Sequence, residues 1–539
     1  MATGVFLLVL LLLPLPSTPF TLYVKPTNNT PCSPQPCLTL SEYIGNATQY
    51  FTSNTTMIFL PGEHVFDAQA NVTDVHGFSM LAELEGTSKI ICSGSRCGGF
   101  YFENVLDLDV ANLSFVSDSQ SITMAHVFHF RLVSCTFANS SNTAVIANDS
   151  SLLLEGNVFM NNLGGGVDGM TFKPGGGVSV VFSNITLQEQ NIFQNNSCIS
   201  NTSLCGGGAM YAENSTVILE GNSSFINNTV MVSKDFEVPL FSGGGGLLLL
   251  KTTVDIPGHV HFTNNRVSSA IYHENSCTIA GGGVSMVYCN VSISGEATFS
   301  SNVAEGESGW GGGMSMSTSS MSVNGSLLLT DNSGIQGGGL SIQGNNNMDI
   351  NGTVTVMNNS GSLGGGIIMA TSNLSVRGSL SLTNNSGGQG GGLNIQGNSN
   401  MDIIGTMLLA SNSAGQYGGG IAMSTSNMSV SGSLLLTDNS GSQGGGLNVQ
   451  GNSNMDITGT LLLANNSADI GGGILVGGSK MTASGSVSFT NNSASANGGG
   501  AFVVSSSVTL GMFTANNTDN QDGEMIVSES VLFTNNSAN

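Results

Sequence analysis

The stretch GGGLSIQGNNNMDINGTVTVMNN, residues 337–359, decides the fold. Leu340 and Ile342 alternate with Ser341 and Gln343, Met348 and Ile350 with Asp349 and Asn351, and Val354 and Val356 with Thr353 and Thr355. These are three short runs of period two, each apolar on one side, separated by Gly- and Asn-rich turns. No stripe of period 3.6 accompanies them, so helices fit poorly. Three strands and three turns fill about 27 residues, one coil of a three-faced parallel β-helix. A lone coil cannot bury its apolar side. Coils stacked at about 4.8 Å bury it and pair every ladder group.

The stretch recurs. Gly triplets begin at Gly311, Gly337, Gly364, Gly390, Gly418, Gly444, Gly471 and Gly498. An Asn landmark keeps pace at Asn332, Asn359, Asn385, Asn412, Asn439, Asn466 and Asn492. Two markers locked at one period describe one unit stacked many times. Asn at the same place in every coil predicts a side-chain amide ladder along the axis, and the Gly triplets supply positive φ where backbones crowd. A longer period sits on top: Met348-Asp349-Ile350, Met401-Asp402-Ile403 and Met455-Asp456-Ile457 recur every second coil, a duplication of about 53 residues. The expected fold is therefore all-β, a right-handed parallel β-helix solenoid of three strands per coil with an N-terminal cap.

Composition agrees. Only 8% of the 539 residues are charged and 6% aromatic, against 75 Gly, which suits a thin aliphatic solenoid. A net charge of −23 leaves no basic stripe for phosphates, so nucleic acid is not an expected partner. Residues 1–20 read as a secretory leader, with an apolar core at Val5–Leu13 and a break at Pro14–Pro19. That core is too short to span a membrane, and no later run reaches the length. The protein is expected to be secreted or held at the cell surface.

Cysteines and sequons fit that setting. Disulfide candidates are the close pairs Cys32/Cys37, Cys92/Cys97, Cys198/Cys205 and Cys277/Cys289, with Cys135 left over and expected buried. Asn-x-Ser/Thr triplets make Asn46, Asn71, Asn112, Asn184, Asn214 and Asn290 glycosylation candidates. Residues 21–55 read as a disulfide-bearing cap with a short helix over residues 38–44 that runs on toward Phe51. Residues 56–310 read as irregular coils with outward loops, the expected protrusions lying at 230–241 and 252–262. Residues 311–539 read as regular coils with an open last coil. That open end predicts a fragment, or self-association through it.

The pairing of Phe-x-x-Asn with Gly-Gly-x-aliphatic appears as Phe225-Ile226-Asn227-Asn228 before Gly243–Leu247, and as Phe489-Thr490-Asn491-Asn492 before Gly498–Ala501. It resembles the repeats of the chlamydial polymorphic outer membrane proteins. The wider resemblance is to the pectin-lyase-like right-handed β-helix proteins, and the N-terminal part resembles secreted animal members of that class. The resemblance implies adhesion on the bacterial side. On the lyase side it implies an acidic calcium cluster beside a basic residue, for which no matching constellation is found.

Asp349, Asp402 and Asp456 stack two coils apart, about 9.6 Å, too far to share a metal or act as an acid/base pair. The seven His are scattered; His126, His129, His259 and His261 reach surface clusters at most. The expectation is a chain with no catalytic, cofactor or metal site. Its expected role is a non-catalytic extracellular structural or adhesive component, with glycans or other surface proteins as partners. The alternative is a carbohydrate-binding or polysaccharide-degrading β-helix protein.

Overall fold

Alternation becomes geometry by stacking. Leu340–Gln343 pairs with Ile367–Ala370, Asn347–Ile350 with Asn373–Val376, and Thr353–Met357 with Ser379–Thr383, each parallel and residue on residue. Repeated along the chain, these pairings give a 20-stranded sheet I containing Asn347–Ile350 and an 18-stranded sheet II containing Thr353–Met357. Sheet III contains Leu340–Gln343 and extends by the same parallel steps from Ala70–Thr73 to Thr518–Gln521. The chain is a parallel β-helix. The structure is a computed structural model and describes residues 19–27, 36–94, 96–164, 172–173, 175–200, 204–232, 241–269, 278–306, 309–510, 513–514, 518–521, 524–527 and 531–538.

A fourth short strand joins many coils. Ser360–Leu363 lies on Ser386–Gln389 in the nine-stranded sheet IV. Its sequences, SGSL and SGGQ, carry no apolar alternation. Their ladder comes from being stacked, which the pattern of one coil does not display.

The interior is one continuous column. Leu340, Ile342, Met348, Ile350, Val354 and Val356 are all buried, and the same core cluster runs from Leu22 to Val508. Each such aliphatic side chain contributes about 1.5–3 kcal/mol when buried. In the earlier coils a file of rings fills the sheet II side. Phe115, Phe137, Phe159, Phe193, Phe225, Phe262 and Phe299 stack nearly parallel, with centroids 4.6–5.0 Å apart. The register continues the file as Leu329, Val356 and Leu382.

Asn332, Asn359, Asn385, Asn412, Asn439, Asn466 and Asn492 are fully buried and form the predicted ladder. Asn385 is typical. Its Nδ2 donates to Val356 O at 2.9 Å and to Asn412 Oδ1 at 3.0 Å, and its backbone N–H donates to the same Oδ1 at 3.0 Å. A second ladder was not read from the sequence: the backbone N–H groups of Ser372, Ser399, Ser426, Ser453 and Ser479 each donate to the hydroxyl one coil on, at 3.2 Å.

The N-terminal turn is closed by a short helix, Leu40–Gly45. Thr39 caps it with a reciprocal capping box to Glu42, while Leu40 and Tyr43 face inward. The helix begins two residues later than expected and breaks at Asn46; Ala47–Tyr50 forms a separate turn of helix. The strand Phe20–Val24 pairs with Thr55–Phe59 and carries the first coil's edge.

Cys92–Cys97 and Cys198–Cys205 are disulfides, and Cys37 is disulfide-bonded while Cys32 lies outside the described residues. The expected Cys277–Cys289 bridge is corrected: Cys289 is a buried free thiol whose Sγ donates to the Leu249 and Val287 carbonyls. It stands at the corner where the next coil has Ser319, whose Oγ accepts the Cys289 backbone N–H, so it replaces a ladder hydroxyl. Cys277 lies outside the described residues, as do the leader through residue 18 and most of the loop expected at 230–241. The other expected protrusion does not form: Thr253–Ile256 and His259–Thr263 are ordinary strands paired on both sides. Cys135 is a buried thiol, as expected. Among the described residues no helix is long and apolar enough to cross a membrane.

Candidate functional site

In a solenoid, a residue at one coil position repeats as a file. The outward positions of sheet I supply two files in the regular coils. The first is Ser320, Asn347, Asn373, Asn400, Asn427 and Asn454, in unbroken register. These asparagines are exposed and hydrogen-bonded to each other: Asn373 Nδ2 donates to Asn347 Oδ1 at 2.8 Å, Asn400 to Asn373 at 3.0 Å, and Asn427 to Asn400 at 3.0 Å. Each side chain still presents unused donor or acceptor capacity to solvent. The second file alternates Asp349, Ser375, Asp402, Ser429 and Asp456.

Together the files line a shallow open groove of about 750 Å³. Arg377 Nη1 approaches Asp349 at 3.3 Å, an exposed pair. Asp402 and Asp456 make no ion pair among the described residues, so the groove is acidic along most of its length. The three aspartates remain two register steps apart, and among the described residues no group of three or more His, Cys, Asp or Glu is arranged to hold a metal.

Sheet I carries a second cleft near the N-terminal end, about 430 Å³, lined by Asp107, Asp109, His129, Arg131, Gln188 and Glu220. Register brings these together. His129 stacks on Asp107 with Nδ1 3.0 Å from Oδ1, and Arg131 lies 2.8 Å from Glu155. His126–Asp149 and His259–Glu296 are similar one-coil pairs. The residues of each pair lie 22 to 37 positions apart, so only the register reveals them.

The glycosylation candidates are all at the surface. Asn46, Asn71, Asn184 and Asn290 are exposed; Asn112 and Asn214 are half-buried, at positive-φ corners.

No protein-family profile matches the chain, and no curated protein matches its sequence. Solved structures do. The chain is similar to a PL6 alginate lyase in complex with a trisaccharide, at 11% identity and a TM-score of 0.32, covering 78% of this chain and 86% of that one. It is similar to PfbA, a surface adhesin of Streptococcus pneumoniae, at 10% identity and a TM-score of 0.25, covering 89% of each chain. It is also similar to the PL6 family alginate lyase AlyGC, at 8% identity and a TM-score of 0.17. These scores describe a shared architecture alone. The expectation that the chain is not an enzyme is nevertheless corrected: its structural neighbours include PL6 alginate lyases.

Proposed function

We propose that the chain binds an extended neutral polysaccharide along the outer face of sheet I, as a secreted or cell-surface protein. One observation carries the reading: a file of exposed carboxamides, Asn347 to Asn454, repeats once per coil beside a file of carboxylates and hydroxyls. Carboxamides offer a donor and an acceptor on each side chain, which suits sugar hydroxyls. A coil spacing of about 4.8 Å repeats the same contact for each unit of an extended chain, so weak contacts add along the groove. The carboxylates of Asp402 and Asp456 accept hydrogen bonds from neutral sugars and repel uronates. In this reading residues 1–20 are a removed leader, 21–55 a cap, 56–310 irregular coils and 311–539 the binding solenoid.

Polysaccharide cleavage is the second reading. The Asp107–His129 pair beside Arg131 favours it, since a carboxylate-oriented imidazole is a general base by type. A panel of neutral and anionic polysaccharides tests both, by binding and by release of reducing or unsaturated ends. The expected result is binding of a neutral chain, weakened at least several-fold by Asn400→Ala combined with Asp402→Ala. Equal binding by that variant, or preference for an anionic chain, overturns the groove assignment. Product formation lost in His129→Ala moves the function to the second cleft.

A further inference from the structure

The Asn pair at the corner between sheets II and IV holds two chemically different residues. In Asn358-Asn359, Asn384-Asn385, Asn465-Asn466 and Asn491-Asn492 the second member is buried in the ladder, and the first is exposed with φ between +53° and +56°. The ladder member has no carboxamide hydrogen to spare. Asn385 Nδ2 is committed to Val356 O and Asn412 Oδ1, inside the solenoid. The exposed member is turned outward by the left-handed corner, a conformation Asn tolerates.

The sequence separates the same two residues. The position two beyond each exposed Asn is Ser360, Ser386, Ser467 or Ser493, completing an Asn-x-Ser triplet. The position two beyond each ladder Asn is Gly361, Gly387, Ala468 or Ala494, which breaks it. The separation is general: no asparagine buried among the described residues heads an Asn-x-Ser/Thr triplet. Where the corner residue is Asp331, Ser411 or Asp438, that corner carries no acceptor.

We propose that Asn358, Asn384, Asn465 and Asn491 are acceptors for N-linked glycans, which stand as a crest along this corner. Asn195 and Asn227 extend the same file toward the N-terminus. The Asn Nδ2 forms a bond to the anomeric carbon of a lipid-diphosphate-linked oligosaccharide. The bond from that carbon to the diphosphate oxygen breaks, the lipid diphosphate leaves with the electron pair, and the Nδ2 proton is lost to base. The acceptors fall in two runs, Asn358 and Asn384, then Asn465 and Asn491 with Asn535 at the same corner of the next coil. Asn358 and Asn465 are four coils apart, about 19 Å at the strand spacing, and the two corners between the runs, Ser411 and Asp438, carry no acceptor. The crest lies at the corner between strands such as Thr353–Met357 and Ser360–Leu363, whereas the groove files lie on sheet I.

The test uses the full chain secreted from a eukaryotic cell. Glycans are released with a glycoamidase in heavy-oxygen water, and each former acceptor is read as a labelled Asp by peptide mass spectrometry. Label is expected at Asn358, Asn384, Asn465 and Asn491, and none at Asn359, Asn385, Asn466 and Asn492. Ser360→Ala and Ser467→Ala, which leave every Asn in place, are each expected to lower the intact mass by one glycan. Unlabelled crest positions in secreted protein, label on a ladder Asn, or no mass change in either Ser variant overturns the proposal.

Discussion

Asn385 Oδ1 accepts two hydrogen bonds from Asn359 of the preceding coil, one from its backbone N–H at 2.9 Å and one from its Nδ2 at 3.0 Å. One carboxamide oxygen therefore closes the backbone of one coil and the side chain of the same residue. Both donors are inside the solenoid, where water cannot replace the acceptor.

Asn385→Ala leaves the buried Asn359 backbone N–H unmet, while Asn359 Nδ2 keeps the Leu329 and Met357 carbonyls. The expected loss is about 1–3 kcal/mol, felt in the coils around residue 385. Repeat stacks open locally, so hydrogen exchange of the flanking strands is the readout. Unchanged protection of the strands Ser379–Thr383 and Thr406–Ala410 would show that the ladder is not holding them.

Phe225 lies between Phe193 and Phe262, with centroids 4.7 and 4.6 Å away. Phe225→Ala opens a ring-sized gap in the file and is expected to cost about 3–5 kcal/mol. Phe225→Leu is expected to cost under about 1.5 kcal/mol, because the register puts Leu329 and Leu382 at the same place in later coils. Denaturant unfolding of the two variants gives the ratio; equal losses would mean the rings stack without carrying the packing.

The cap responds to acid through Glu42. Hydrogen bonds from the Thr39 backbone N–H, and then from its hydroxyl, hold the Glu42 carboxyl below the ordinary value of 4.5. A depressed carboxylate contributes stability above its unfolded value and loses it as pH falls through the folded one. Protection of the helix Leu40–Gly45 is expected to drop on acidification below about pH 4.5. Glu42→Gln keeps a capping side chain without the charge and is expected to flatten that drop; an unchanged profile would assign the acid response to other groups.

The two free thiols should be inert in the folded protein. Burial pushes Cys135 up to about 12 and Cys289 up to about 11, so almost no thiolate exists near neutral pH. Iodoacetamide at pH 8 is expected to label neither until denaturant is added, by mass spectrometry. Labelling of Cys289 in the native state would mean that its corner opens.

The repeat makes the architecture legible in the sequence alone. The Gly triplets and the ladder asparagines lock two landmarks at one period, and alternation of Leu340, Ile342, Met348, Ile350, Val354 and Val356 names the inward face. Stacking is then forced, because a thin coil has nothing else to bury its apolar side against. The charged pairs were not legible. His129 and Asp107 are 22 residues apart in a region of uneven coil length, and their meeting depends on how many residues each corner absorbs. The Cys277/Cys289 spacing misled for the same reason: sequence proximity says nothing about whether a position points into a corner, and Cys289 does.

The amino-acid sequence by itself determined the period, the inward face and which asparagines can carry a glycan signal, since all three are local patterns. Only the tertiary structure decided which carboxamides are buried and which line an open groove, that a fourth strand pairs, and which acids face which bases. Those depend on register between coils, a relation that no single coil contains.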